Sequence, residues 1–121
     1  MDSDLIDMVE SSFGSVWALE LLLVLYGDRD RTWTREELVH ELRSSEVVVA
    51  QSIDNLITCG LVLVEDGGRV RYGPASKAQD DLVRQLEEEY RKKPAVIRRL
   101  IIQNPADKLK TFAEAFMLKK S

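Results

Sequence analysis

Residues 33–74 constrain the fold of this chain more than any other segment. They contain two short helical patterns separated by a serine pair, then an apolar run and a charged run on either side of an Asp-Gly-Gly turn. The helical spacing gives way to β-branched, strand-like residues after Gly60. This order predicts two helices joined by a tight turn and followed by a β-hairpin.

The first helical pattern has a defined start. Thr34-Arg35-Glu36-Glu37 matches a capping box, in which the Thr34 hydroxyl accepts a bond from a backbone amide and Glu37 reaches back to the cap. Leu38, Val39 and Leu42 then recur at helical spacing. Either Ser44 or Ser45 can cap the second helix. The predicted apolar stripe of that helix is Val49, Ile53, Leu56 and Ile57.

The hairpin is predicted from turn chemistry. Gly60 stands where a left-handed residue closes the second helix, and residues 61–64 are apolar and strand-like. Asp66-Gly67-Gly68 supplies the positive φ angles that a hairpin turn needs. Residues 69–72 form the returning strand, and Thr32-Trp33 can add a short third strand beside it.

The junction from Leu56 to Val62 carries a family resemblance. It resembles the L-x-x-x-G-L-V junction of MarR-type and related winged-helix regulators, and the similar region covers roughly a third of the chain. The resemblance implies a mainly α-helical winged helix-turn-helix with a small β wing and with N- and C-terminal helical extensions. It also implies a transcriptional regulator that binds double-stranded DNA.

Length and composition favour one soluble domain. The 121 residues are expected to form a winged-helix core at about 15–74 and a C-terminal helical extension at about 75–121. The apolar segment 16–26 contains Glu20 and is shorter than the roughly 20 residues of a membrane span. With no signal-like N-terminus and one cysteine, Cys59, a cytoplasmic location is expected.

The helix predicted at 16–26 is apolar on nearly every side, so it must be covered on every side. The N-terminal segment can cover it, as can helices predicted after Ser76, from Pro94 and after Asn104-Pro105. The last of these has an apolar stripe formed by Leu109, Phe112, Ala113, Phe116 and Met117. The terminal helices either build a homodimer interface or wrap their own domain, and both alternatives stay open.

Charge is distributed unevenly. Residues 1–45 carry a formal charge of −6, residues 46–94 carry −2, and residues 95–121 carry +4, which gives the net charge of −4. An acidic chain attracts phosphate weakly unless it has a local basic patch. Only the C-terminal segment offers such a patch in the sequence.

Catalysis has little support in the sequence. The one histidine, His40, and the one cysteine, Cys59, lie on different predicted helices. Metal sites generally need three or four clustered ligands, and phosphate-binding loops need a glycine-rich turn before a helix. Neither pattern is present, so we expect no enzyme, no metal and no cofactor.

Two function hypotheses follow from the second helix predicted within residues 33–74. This helix has no Lys or Arg between Glu46 and Cys59. The first is a dimeric DNA-binding regulator, because polar side chains expected to face outward and the wing arginines can contact a duplex. Its candidate residues are Val48, Gln51, Ser52, Asn55, Arg69 and Arg71. The alternative is a protein-interaction module on the same scaffold. Its candidate residues are Val47, Val48, Leu109, Phe112, Phe116 and Met117.

Overall fold

The computed structural model describes residues 2–102. This part of the chain is mainly helical and has a small two-stranded antiparallel sheet, as the sequence predicts. A short 3-10 turn, Asp66–Gly68, joins the two strands. In chain order the elements are α1 (Ser3–Ser12), α2 (Val16–Gly27), α3 (Arg35–Leu42), α4 (Glu46–Thr58), β1 (Val62–Val64), β2 (Val70–Tyr72), α5 (Lys77–Lys92) and α6 (Pro94–Ile102).

The helix starts confirm the capping predictions. The Thr34 hydroxyl accepts from the Glu37 amide at 3.1 Å, and the Glu37 carboxylate accepts from the Thr34 amide at 2.8 Å. Ser45, rather than Ser44, caps α4 by accepting from the Val48 amide at 3.2 Å. Ser76 caps α5, and Pro94 is the first residue of α6. These bonds fix where each helix begins because they satisfy amides that have no partner within the helix.

The hairpin pairs Val62 with Tyr72, Leu63 with Arg71 and Val64 with Val70. Gly60, Gly67 and Gly68 have φ angles of 72°, 81° and 79°, as the turn prediction requires. The third strand expected at Thr32-Trp33 is present as one antiparallel bridge between Trp33 and Val70, with both N–O distances at 2.8 Å. The bridge ties the segment before α3 to the hairpin.

The core forms around α2, which packs against α3, α4, α6 and β2. Four of its leucines are fully buried: Leu19, Leu21, Leu22 and Leu25. The N-terminal helix α1 packs mainly against α5 and α6, where Leu5 and Val9 are buried. Helix α6, which the sequence predicts from Pro94, therefore helps to cover the apolar helix α2.

Helices α1 and α2 are separate elements set at an angle of 115°. Ser15 caps α2 by accepting from the Ala18 amide at 3.3 Å. Within residues 2–102, no single helix is both long enough and apolar enough to cross a membrane. Only α1 and α2 taken together reach such a length and composition.

One predicted core position is wrong. The stripe predicted for α4 includes Ile57, but the side chain of this residue is exposed. Ile57 follows Leu56 by one residue, about 100° around the helix, and so leaves the face that Val49, Ile53 and Leu56 bury. The C-terminal positions Leu109, Phe112, Ala113, Phe116 and Met117, and the helix start predicted at Asn104-Pro105, lie outside the described residues.

Candidate interaction surface

The outer side of α4 is acidic and apolar. Glu46, Val47, Gln51 and Asp54 are exposed, and Val47 retains 66% of its accessible surface. The opposite side of the helix packs into the core. We call the exposed side, with Val47 and Gln51 at its centre, the α4 face. The exposed side chains of α4 include two carboxylates, one carboxamide and two apolar side chains, Val47 and Ile57, and the helix contains no cation.

A cavity of about 280 Å³ lies beside the α4 face, between α4 and the start of α2. We call it the α4 pocket. Trp17 contributes from α2 and is 41% exposed, while Val48 and Gln51 contribute from α4. The full lining is Gly14, Ser15, Trp17, Val48, Gln51, Ser52 and Asn55. An exposed indole next to a valine and a carboxamide suits an apolar group that also carries one hydrogen-bonding atom.

Two of the proposed DNA-contacting residues do not face outward. Ser52 is only 3% exposed, because it lies three residues after Val49 and one before Ile53, on the buried side of the helix. The Asn55 carboxamide bonds within the protein: its Oδ1 accepts from the Gly14 amide at 2.7 Å and its Nδ2 donates to the Ser12 carbonyl at 2.6 Å. The expectation that both side chains face outward is therefore wrong.

The hairpin arginines differ from each other. Arg71 forms an ion pair with Glu65, with Nε and Oε1 2.8 Å apart, and its side chain is only partly exposed. The Arg71 Nε is buried and has no hydrogen bond of good geometry, so this contact is one of charge rather than a directed bond. Arg69 lies just before β2 and is exposed. The Glu65 carboxylate offsets the charge of Arg71. Arg69 is therefore the more available of the two arginines for an anionic ligand.

Sequence reasoning missed Arg43. This residue ends α3 in the left-handed region, at φ 52°, where it is the only non-glycine residue among residues 2–102 with a positive φ. Its exposed side chain stands at the turn into α4. The sequence did contain a signal for this residue. A tight turn between the two helices needs a left-handed residue just before Ser44, and the residue at that position is Arg43 because no glycine is present there.

The two residues considered for catalysis lie in unrelated surroundings. His40 is exposed on α3, whereas Cys59 is partly buried and its thiol donates to the Ser12 carbonyl at 3.2 Å. Burial raises the pKa of the Cys59 thiol, which keeps it protonated near neutral pH and weakens it as a nucleophile. Within residues 2–102, no group of three or more His, Cys, Asp or Glu side chains could hold a metal ion.

Similarity to known proteins does not indicate a function for this surface. Comparison of the chain with models of protein families, with curated proteins and with solved structures gives no match. The chemistry of the α4 face and the α4 pocket is therefore the basis for inferring a function.

Proposed function

We propose that the chain is a winged helix-turn-helix protein whose α4 face and α4 pocket bind a protein partner. The order α2, bridge at Trp33, α3, α4 and hairpin supports this proposal, because a winged helix is expected to have the same order, and α4 would then be its recognition helix. In DNA-binding members of this class, the outward side of that helix carries the base contacts. The nature of the ligand therefore depends on what α4 presents.

The observation that carries the proposal is the exposed Trp17 beside Val48 and Gln51. Tryptophan is enriched among the residues that dominate protein–protein binding energy, particularly where it borders a pocket that excludes water. Val47, on the same helix as Val48, adds a strongly exposed apolar side chain. Together they form an anchor site for a protein side chain, at the place where a DNA reader would present polar and cationic groups.

Charge supports the same conclusion. The chain contains 21 acidic and 17 basic residues, a formal net charge of −4. Glu46 and Asp54 are exposed on α4 itself and would repel DNA phosphates. The complementary partner is a surface with one large apolar side chain flanked by Lys or Arg, since electrostatic complementarity guides association.

A second candidate, sequence-specific DNA binding, is favoured by three exposed side chains around α4. Gln51 stands on the outer side of the helix, where it can bond an adenine edge with both carboxamide atoms. Arg43 at the turn before α4 and Arg69 before β2 are exposed cations, the kind of side chain that binds phosphate. With so few cations, this candidate predicts a shallow dependence of affinity on salt.

Capture from an extract of the cells that make the protein tests the proposal. Immobilised wild-type chain should retain one partner in stoichiometric amount, and Val47→Asp should lose it. Val64→Asp is the matched control, because Val64 is also an exposed valine, 48% accessible, but lies on β1. Far-UV circular dichroism should show that both variants keep the helical fold.

The same proteins should be titrated against a pool of random-sequence duplexes at low salt. The proposal predicts that no duplex gives saturable binding at micromolar protein. Saturable binding that Gln51→Ala weakens only for particular sequences, together with partner capture unaffected by Val47→Asp, would establish DNA binding in place of the proposal.

A further inference from the structure

A second cavity, of about 530 Å³, lies between α2, α3 and α6, and its walls are mainly apolar. The lining is Val16, Trp17, Glu20, Val24, Glu41, Leu42 and Arg98. We call this cavity the Trp17 groove. Trp17 also lines the α4 pocket, so its side chain borders both cavities. Because Trp17 is 41% exposed, a ligand that covers its indole lies next to both of them.

The two carboxylates of the Trp17 groove differ in what they contact. Glu20 Oε1 accepts from the Tyr90 hydroxyl at 2.5 Å and lies 3.7 Å from the Arg98 guanidinium. Arg98 also donates from Nε to the Tyr90 hydroxyl at 3.0 Å, so the charge of Glu20 is offset within the protein. Glu41 is exposed, and within residues 2–102 it forms no ion pair. Glu41 is therefore the carboxylate that remains available to a cationic ligand.

The walls of both cavities are helix surface. Their lining residues belong to α2, α3, α4 and α6, or to the turn Gly14-Ser15 before α2. A helix uses its backbone amides and carbonyls internally, so such walls offer few main-chain bonds to a ligand. An extended peptide depends on such bonds at a sheet edge, whereas an amphipathic helix satisfies its own backbone and binds through apolar side chains. This surface therefore favours a helix.

We propose that the partner segment is an amphipathic helix that straddles Trp17, with one large apolar side chain in the α4 pocket and another in the Trp17 groove. This inference rests on the proposed function, because it names the partner for the same surface. Side chains one or two turns apart, about 6 Å or about 10 Å along a helix, share a face and can enter neighbouring cavities. Glu41 and Glu46 are exposed at this surface, so the helix carries Lys or Arg beside its apolar face.

A display library of alanine-based helices of about 18 residues provides a defined probe. Positions i, i+4 and i+7 and the positions beside them are varied, and helices are selected on the immobilised full chain. Helices that also bind Trp17→Ala are removed, so that those kept contact this surface. The selection should enrich helices with two large apolar residues on one face and Lys or Arg beside them. Enrichment of helices with one apolar residue or acidic flanks, or no enrichment, would overturn the proposal.

Glu41→Lys tests the charge contact. This variant should bind a selected helix about fivefold more weakly, the upper value for one exposed ion pair. Glu36→Lys is the matched control, because Glu36 is another exposed carboxylate on α3 but lines neither cavity. It should change the Kd by less than about twofold, as measured by isothermal titration. Equal effects of the two substitutions would overturn the assigned position of the helix.

NMR separates this inference from the proposed function. A selected helix should form a 1:1 complex with the full chain and give intermolecular NOEs from one apolar residue to the Val48 methyl groups and from the other to the Val24 methyl groups. NOEs to Val48 alone, or two helices per chain, would overturn the inference and leave the proposed function in place. NOEs to Val24 alone, with affinity unchanged by Val47→Asp, would overturn both.

Discussion

The carboxamide of Asn55 and the backbone amide of Gly14 join α4 to the turn between α1 and α2. Asn55 Oδ1 accepts from Gly14 N at 2.7 Å, and a side chain at position 14 would place its Cβ 3.3 Å from the same oxygen. The Asn55 Nδ2 then donates to the Ser12 carbonyl. One side chain of α4 thereby holds the turn that precedes α2, and Trp17 lies just after this turn, beside the α4 pocket.

Asn55→Ala should destabilise the fold by about 1–3 kcal/mol, because it leaves the Gly14 amide without its side-chain partner and the Ser12 carbonyl with only the weaker bond from the Cys59 thiol. Urea unfolding measures the change. Gln51→Ala, one helical turn earlier on the exposed side, should change the free energy of unfolding by less than about 0.5 kcal/mol. Equal effects from the two substitutions would contradict the structural role assigned to Asn55.

Gly60→Ala should cost about 1–2 kcal/mol of stability, because Gly60 has a φ of 72° and an L-residue is strained there. The added Cβ would also lie 3.3 Å from the Ala75 Cβ. Gly27→Ala is the matched control: a methyl group added there would have no atom within 4 Å, and the φ of Gly27 is not positive. Thermal unfolding should show a lower Tm for Gly60→Ala and no loss for Gly27→Ala.

Asp80 should make part of the stability dependent on pH. Its Oδ1 accepts from Arg29 at 2.5 Å and from the Tyr72 hydroxyl at 2.6 Å. The bond from Arg29, followed by that from Tyr72, holds the pKa of Asp80 below its ordinary value. A lowered folded-state pKa means that the stabilisation is complete above the unfolded pKa of about 3.9, and that it is lost as pH falls through the folded pKa.

Asp80→Asn should therefore reduce the free energy of unfolding at neutral pH, and its deficit relative to wild type should shrink as pH falls below about 4. Asp81→Asn serves as the control, since Asp81 forms only a surface ion pair with Arg84, at 3.5 Å, within residues 2–102. Urea unfolding from pH 7 to pH 3 measures both variants. A deficit for Asp80→Asn that is constant with pH would show that the charge of Asp80 does not stabilise the fold.

Local chemistry explains what the sequence could predict. The Thr34–Glu37 capping box and the glycine turn of the hairpin depend on residues within a few positions of each other, so their spacing is visible in the chain. The orientation of Asn55 could not be predicted in this way, because its partners, Ser12 and Gly14, lie more than forty residues away. The packing of the α1–α2 turn against α4 decides that orientation, and no local pattern contains that packing.

The two arginine results have a similar explanation. The sequence predicts that Arg69 and Arg71 both contact a duplex, but the hairpin brings Glu65 to Arg71 and leaves Arg69 exposed. Arg43 is missed by sequence reasoning because its importance comes from a left-handed backbone at the turn, which arginine seldom adopts. Both outcomes depend on backbone geometry, which the residue pattern alone does not contain.

Photo-crosslinking from position 47 tests whether the α4 face binds a protein. A benzophenone amino acid in place of Val47, irradiated in an extract of the cells that make the protein, samples whatever contacts the α4 face. We expect one adduct of defined mass that protease removes and nuclease does not, and no such adduct from the same group at Val64. An adduct at position 47 that nuclease removes would contradict protein binding by the α4 face and would show that α4 contacts nucleic acid.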